Sequence, residues 1–204
     1  MMEQAQGKPQ SFIGVGYSSE LALSSIESVF ADRSQYMKDR FIGNSHLPIY
    51  KRYTIWPREY ETDPQIKDYL DDLIRLTTEY MALWDLGNDF TPELVEGFNL
   101  QSYRPHQSYH HWHCERSSNG QYARSLTFMT YLNDIPEDCG GGTSFKHHDI
   151  TVTPERGKTI IWPSDFTHIH RGEVTKTHEK HIVTGWINIQ DTKVKKANSQ
   201  EWQE

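Results

Sequence analysis

From Phe98 onward the apolar residues of this chain recur with a period of two, and that switch constrains the fold more than any other feature. Phe98, Leu100 and Ser102 alternate with Asn99, Gln101 and Tyr103. Between Arg124 and Asn133, Leu126, Phe128, Thr130 and Leu132 share one face, while Thr127, Met129 and Tyr131 share the other. Shorter strand-like runs follow at 143–146, 151–153, 158–162 and 181–189. The breaks between them are Asn133-Asp134, the glycines 140–142, Pro154 to Gly157 and Pro163 to Asp165. Many short strands at even spacing predict an antiparallel sandwich or barrel.

The first half reads differently. Leu23, Ile26, Phe30 and Met37 predict one amphipathic helix or two short ones between Ser18 and Asp39. A stronger pattern runs from Pro64 to Leu86, where Ile66, Leu70, Leu73, Thr77, Tyr80, Met81 and Trp84 follow at steps of three and four. Asp63 is its expected cap, Pro64 suits the first helical position, and Gly87-Asn88 is the expected stop. Such a helix lays its apolar face on something flat, most plausibly a sheet. The expected organisation is a supporting segment over 1–97, a strand-rich core over 98–190 and a polar tail over 191–204, together one compact unit.

Composition narrows the function classes. The chain carries 21 Lys and Arg against 28 Asp and Glu, for a net charge of −7, which disfavours a nucleic-acid-binding surface. Its apolar runs are too short to span a membrane, and Met1 to Gln10 has no apolar leader core, so a cytoplasmic location is expected. Two cysteines, Cys114 and Cys139, make no disulfide framework. Eleven histidines are many for this length, and four of them (106, 110, 111 and 113) fall within eight residues.

Two constellations can carry chemistry. If His113-Cys114-Glu115 lies on a strand, its first and third side chains share a face and present an imidazole beside a carboxylate, with Cys114 turned away. Farther on, His168-Ile169-His170 precedes Lys180, which shares a strand face with Ile182, Thr184 and Trp186. A histidine from this second stretch would complete two imidazoles and one carboxylate on one side of a metal, leaving open positions that suit non-haem Fe(II). A lysine facing into an apolar barrel is costly unless an anion meets it there.

The ordered set of motifs resembles the prolyl and lysyl hydroxylase branch of the 2-oxoglutarate- and Fe(II)-dependent dioxygenases, over roughly Phe98 to Ile189. It comprises Tyr103 ten residues before His113, Arg124-Ser125-Leu126-Thr127, Tyr131-Leu132-Asn133-Asp134, Gly140-Gly141-Gly142-Thr143-Ser144-Phe145, Pro154 to Gly157 before an apolar strand, and the distal histidine, lysine and tryptophan. The resemblance implies a mainly β fold with N-terminal helices, a double-stranded β-helix or cupin-like jelly roll. It implies Fe(II) held by His113, Glu115 and a distal histidine, with 2-oxoglutarate and O2 as cosubstrates. Lys180 would pair with the far carboxylate of 2-oxoglutarate, with Tyr131, Tyr103 and Thr184 adding hydrogen bonds. His170 stands ten residues before Lys180 and His168 twelve, and family spacing favours His170 as the ligand, with His168 facing the same side two residues away. Glutamate replaces the family's usual aspartate at 115. Arg124 and Tyr131, seven apart, would lie on opposite faces of a regular strand, so only Tyr131 is expected at the site.

The implied reaction is hydroxylation of a peptide or small-molecule substrate. A protein prolyl or lysyl side chain leads a free amino acid slightly. Two other readings stay open: a zinc hydrolase using the 106–113 histidines, and a non-catalytic cupin-like binding protein. Lys180 speaks against the hydrolase, which has no reason to anchor a dicarboxylate.

Overall fold

The computed structural model describes residues 2–4, 11–41, 46–87, 89–117 and 123–191. In chain order it runs β1 (Glu3–Gln4), β2 (Gly14–Tyr17), α1 (Glu20–Arg33), β3 (Lys38–Arg40), β4 (Tyr50–Ile55), α2 (Pro64–Leu83), β5 (Phe90–Glu93) and β6 (Phe98–Tyr103). It continues with β7 (Leu126–Tyr131), β8 (Thr143–Phe145), β9 (Ile150–Val152), β10 (Lys158–Pro163), β11 (His170–Gly172) and β12 (Lys180–Asp191). The larger sheet has the antiparallel order β1-β2-β10-β7-β12-β6-β4-β3, with β5 pairing the far end of β12. A smaller sheet, β11-β8-β9, faces it, which gives the expected two-sheet jelly roll.

The alternation read from the sequence decides which way each strand faces. Phe98, Leu100, Phe128, Ile161 and Val183 point to one side of the large sheet, where α2 covers them with Ile66, Tyr69, Leu73 and Leu76. Leu23, Ile26 and Val29 of α1 complete that layer. Asp63 caps α2 by accepting from the backbone N–H groups of Gln65 and Ile66, and Pro64 opens it. The helix stops short of Gly87. Asp85 takes the left-handed conformation (φ 58°), and the Leu86 N–H donates back to the Met81 carbonyl at 2.8 Å. The first helix likewise ends at Arg33 and gives way to a single 3-10 turn and then β3, not a continuation to Asp39.

The first half is more than a helical brace, because β2 and β4 extend the large sheet on either side of β10 and β6. Past Asp191 the polar tail lies outside the described residues. Among the described residues no helix is long and apolar enough to cross a membrane.

The other side of the large sheet packs Tyr103, Tyr131, Ile160, Trp162 and Ile182 against Phe145, Ile150 and Val152 of the small sheet. The cavity opens in this second layer.

Gly185, midway along β12, is a close approach on which the first layer depends. A Cβ there would come within 2.7 Å of Phe98 Cβ and 2.9 Å of the Phe128 ring. Gly185→Ala should therefore overpack the sheet–helix layer and cost about 1–3 kcal/mol. Urea unfolding followed by circular dichroism measures this, with an unchanged midpoint counting against it.

Candidate metal centre

His113 and Glu115 lie in the loop between β6 and β7, not on a regular strand. The loop is nonetheless fixed. His113 and His170 exchange both backbone hydrogen bonds, at 3.0 and 2.9 Å, so the loop adds one rung to the edge of β11. Two residues on, the Glu115 N–H donates to the Ser164 carbonyl at 3.1 Å. These contacts turn the side chains of His113, Glu115 and His170 toward one point.

Each imidazole is oriented from behind. His113 Nδ1 lies 2.8 Å from the His111 carbonyl and His170 Nδ1 lies 3.0 Å from the His168 carbonyl. A carbonyl only accepts, so Nδ1 carries the proton in both rings and Nε2 keeps its lone pair. The two Nε2 atoms stand 3.3 and 3.6 Å from Glu115 Oε1. One donor atom from each of the three residues falls within 4.8 Å of the others. Burial alone would raise the Glu115 pKa. When protons rather than a metal occupy the two Nε2 positions, hydrogen bonds and charge from His113 and His170 outweigh burial and hold the carboxyl well below the usual range; a metal would take the place of those protons. Two neutral imidazole nitrogens and one carboxylate oxygen form a donor set that fits Fe(II).

The second carboxylate oxygen is occupied elsewhere. Trp186 Nε1–H donates to Glu115 Oε2 at 2.9 Å, and Arg124 Nη1 lies 3.7 Å from the same atom. The Arg124 guanidinium stacks 3.3 Å above the Trp186 ring and pairs with both oxygens of Glu96. Arg124 was excluded by strand parity, yet it reaches the site because it precedes the first residue of β7, where alternation does not apply.

Beside the three converging groups lies a cavity of about 300 Å³ whose wall includes Lys180, Tyr103, Thr143, Trp162, Thr184 and Trp186. Lys180 is buried; its Nζ donates to the Gly141 carbonyl at 2.9 Å and lies 4.9 Å from the centre of the Tyr103 ring. Burial lowers its pKa to about 8, against a weaker upward pull from Glu173. The carbonyl is available because Gly140 and Gly141 adopt positive φ, where a Cβ on Gly140 would come within 2.3 Å of the Val174 oxygen. Trp162 also lines this cavity, and its indole N–H has no partner among the described residues. An enclosed ammonium on the wall of a cavity is the surrounding an anion requires.

The other expected residues divide. Tyr103 lines the cavity, with its hydroxyl donated to Gln101 Oε1. Thr184 lines it too, but its hydroxyl is donated to the Phe128 carbonyl at 2.8 Å. Tyr131 sits behind the wall, its hydroxyl 2.6 Å from Oγ1 of Thr143, which is the residue that meets the cavity. His168 does not share the face of His170. It closes a 3-10 turn, so its ring points away; Nε2 lies 2.8 Å from the Ser11 carbonyl and the ring stacks on His148 at 4.6 Å. Burial lowers its pKa to about 4, which keeps it neutral. His110 and His111 are exposed and stack on each other outside the cavity.

Trp186→Phe retains the ring under Arg124 but removes the N–H that holds Glu115 Oε2. Loss of such an outer hydrogen bond should weaken Co(II) binding about tenfold or more. Titration by isothermal calorimetry reads this, and unchanged affinity would mean that the indole does not orient the acid.

The sequence profile of the 2OG-Fe(II) oxygenase superfamily matches residues 98–188. A PKHD-type hydroxylase of Crocosphaera subtropica is 27% identical over 139 residues, covering 65% of this chain and 60% of that protein's length. Among solved structures, a prolyl-4-hydroxylase of Pseudomonas putida superposes with a TM-score of 0.65 at 16% identity, over 88% of this chain and 93% of the other. A prolyl hydroxylase of Trichoplax adhaerens, solved with a peptide fragment of the hypoxia inducible factor oxygen degradation domain, gives 0.65 at 13% identity over 88% and 84%. The match from β6 to β12 coincides with the strands that frame His113, Glu115, His170 and Lys180. Over residues 98–188 the chain matches the 2OG-Fe(II) oxygenase superfamily, and its fold is that of the prolyl hydroxylases it superposes on.

Proposed function

We propose that this chain is an Fe(II)- and 2-oxoglutarate-dependent dioxygenase that hydroxylates a second substrate and releases succinate and CO2. One juxtaposition carries the reading: two imidazoles and a carboxylate converge at one side of a cavity whose wall holds a buried ammonium. In this reading His113, Glu115 and His170 hold Fe(II). Lys180 receives the far carboxylate of 2-oxoglutarate, and Tyr103 and Thr143 line its seat, with Tyr131 acting through Thr143. Thr184 contributes shape, since its proton is already committed.

Bound Fe(II) supplies the redox chemistry, using O2 to decarboxylate 2-oxoglutarate oxidatively and to place the second oxygen atom in a substrate C–H bond. The protein's share is positioning. His111 and His168 carbonyls fix the two rings, Trp186 and Arg124 hold the acid, and the layer of Trp162, Ile182 and Phe145 limits access of water. Formal charges on Fe(II), Glu115, 2-oxoglutarate and Lys180 cancel, which offsets much of the cost of burying them.

For the second substrate, a peptidyl prolyl or lysyl side chain leads. The Trichoplax neighbour was solved with a peptide, and the Pseudomonas neighbour is a prolyl-4-hydroxylase. A free amino acid or other small molecule is the alternative. Zinc hydrolysis leaves Lys180 without a purpose, and a purely binding role predicts 2-oxoglutarate uptake without succinate.

Adding 2-oxoglutarate to the anaerobic Fe(II) protein should produce the visible charge-transfer band of a chelated keto acid; a blank spectrum would defeat the assignment. Lys180→Ala should weaken 2-oxoglutarate on the order of a hundredfold while iron affinity changes little. Equal loss of both would point to a damaged fold instead.

The lysine also sets a pH dependence. Below about pH 8 Lys180 is an ammonium and attracts the dianion; above it the amine is neutral. The affinity for 2-oxoglutarate should therefore fall as pH rises past 8, approaching about tenfold per pH unit. A dissociation constant that stays flat from pH 7 to 10 would remove Lys180 from the binding step.

A further inference from the structure

A second cavity, of about 450 Å³, adjoins the first and shares Arg52, Asn99, Arg124 and Trp186 with it. Its remaining wall includes Trp56 and Val95, both more than half exposed. Two of the shared residues, Trp186 and Arg124, stand at the metal side, since both approach Glu115, while Arg52 and Asn99 continue the wall along β4 and β6. If 2-oxoglutarate occupies the Lys180 end of the first cavity, the second is the open approach to the same centre.

Charge distinguishes this approach. Arg124 is bound on two sides, bidentate to Glu96 at 2.6–3.1 Å and 3.7 Å from Glu115. Arg52 is not. It sits on β4 opposite Gln101 of β6, half-buried, and its guanidinium makes no hydrogen bond or ion pair among the described residues. The charges of Fe(II), Glu115, 2-oxoglutarate and Lys180 already cancel, and Glu96 offsets Arg124. Arg52 is thus a surplus positive charge at the junction of two cavities, in a chain whose net charge is −7. A planar guanidinium with free donors suits a carboxylate bidentately, and a cleft wall strengthens the attraction. One arginine balances one negative charge, so a monoanionic carboxylate fits better than a phosphate dianion. Trp56 offers a flat apolar face beside it.

We infer that Arg52 is a specificity-determining residue, which seats a carboxylate of the hydroxylated substrate in the second cavity. This rests on the oxygenase reading above and refines it: the substrate is an amino acid with a free α-carboxylate, or a peptide whose acidic side chain or C-terminus lies close to the reacting carbon. The two sources share one chemistry and separate in the test.

The test compares acids with their amides. The 15N-labelled protein, loaded with Zn(II) and 2-oxoglutarate, is titrated with free amino acids and amino-acid amides, and with N-acetyl amino acids and their amides. Binding is followed at the indole N–H signals of Trp56 and Trp186. For at least one pair the acid should bind tenfold or more tightly than its amide. Arg52→Gln should erase the difference, and Arg52→Lys should keep part of it. Preference for free over N-acetylated acids would assign the source as a free amino acid, and the reverse a peptide terminus. Equal affinity within every pair, no measurable binding of any acid, or a preference that survives Arg52→Gln would overturn the inference. Binding of 2-oxoglutarate is measured first on both proteins. Its absence from the wild type would sink the oxygenase reading, whereas the role of Arg52 is judged by the acid–amide difference alone.

Discussion

The reciprocal backbone pairing of His113 with His170 is the contact on which the rest of the site depends. It joins residues 57 positions apart, one in a long loop and the other at the first residue of a short strand. Without it, nothing regular would hold the loop after β6 against the small sheet. With it, two rings are brought to a centroid distance of 4.3 Å, and each is tied by Nδ1 to a carbonyl two residues earlier in its own segment. The same spacing on both sides gives two similarly built half-sites, and Glu115 completes the set from one of them.

Charge is arranged with the same economy. The carboxylate and the guanidinium near the centre are both partnered: Glu115 accepts from Trp186 and approaches Arg124, and Arg124 pairs with Glu96. Lys180 is the buried exception, held by the Gly141 carbonyl and the Tyr103 ring face, neither of which neutralises it. Burial without a counter-ion lowers the lysine's basicity, and an arriving dianion would restore it. Arg52 is the second exception, half-buried where the two cavities meet. Between them the two cations distinguish a place for a deep anion from a place for an outer one.

Much of this was legible in the sequence. Period-two runs located β6, β7, β10 and β12, and the three- and four-residue steps located α2 with its Asp63 cap. The parity of β12 put Lys180 and Trp186 on one face, as found. What escaped did so for physical reasons. β2 is built on Gly14 and Gly16 because Tyr80, Leu76 and Met2 crowd that strand, so it carries little of the β-branched bulk by which strands are known. β4, with Lys51 and Arg52 in a strip half-buried on both faces, shows no period-two contrast by which a strand is recognised. Arg124 and His168 were misjudged by extending strand alternation to residues that precede a strand, where turn geometry decides direction. The convergence of His113, Glu115 and His170 could be expected in advance because it rests on residue order, although the first two do not lie on the strand expected for them.

The glycines around Lys180 limit what this protein could become. A Cβ on Gly172 would already lie 3.4 Å from Nζ, and the carbonyl of Gly141 closes the other side. A side chain at 172 larger than a methyl would press on the ammonium unless β11 moved, and β11 begins with His170. The backbone that makes room for Lys180 is thus the backbone that pairs with His113, so a lineage could enlarge position 172 only by shifting the histidine pair.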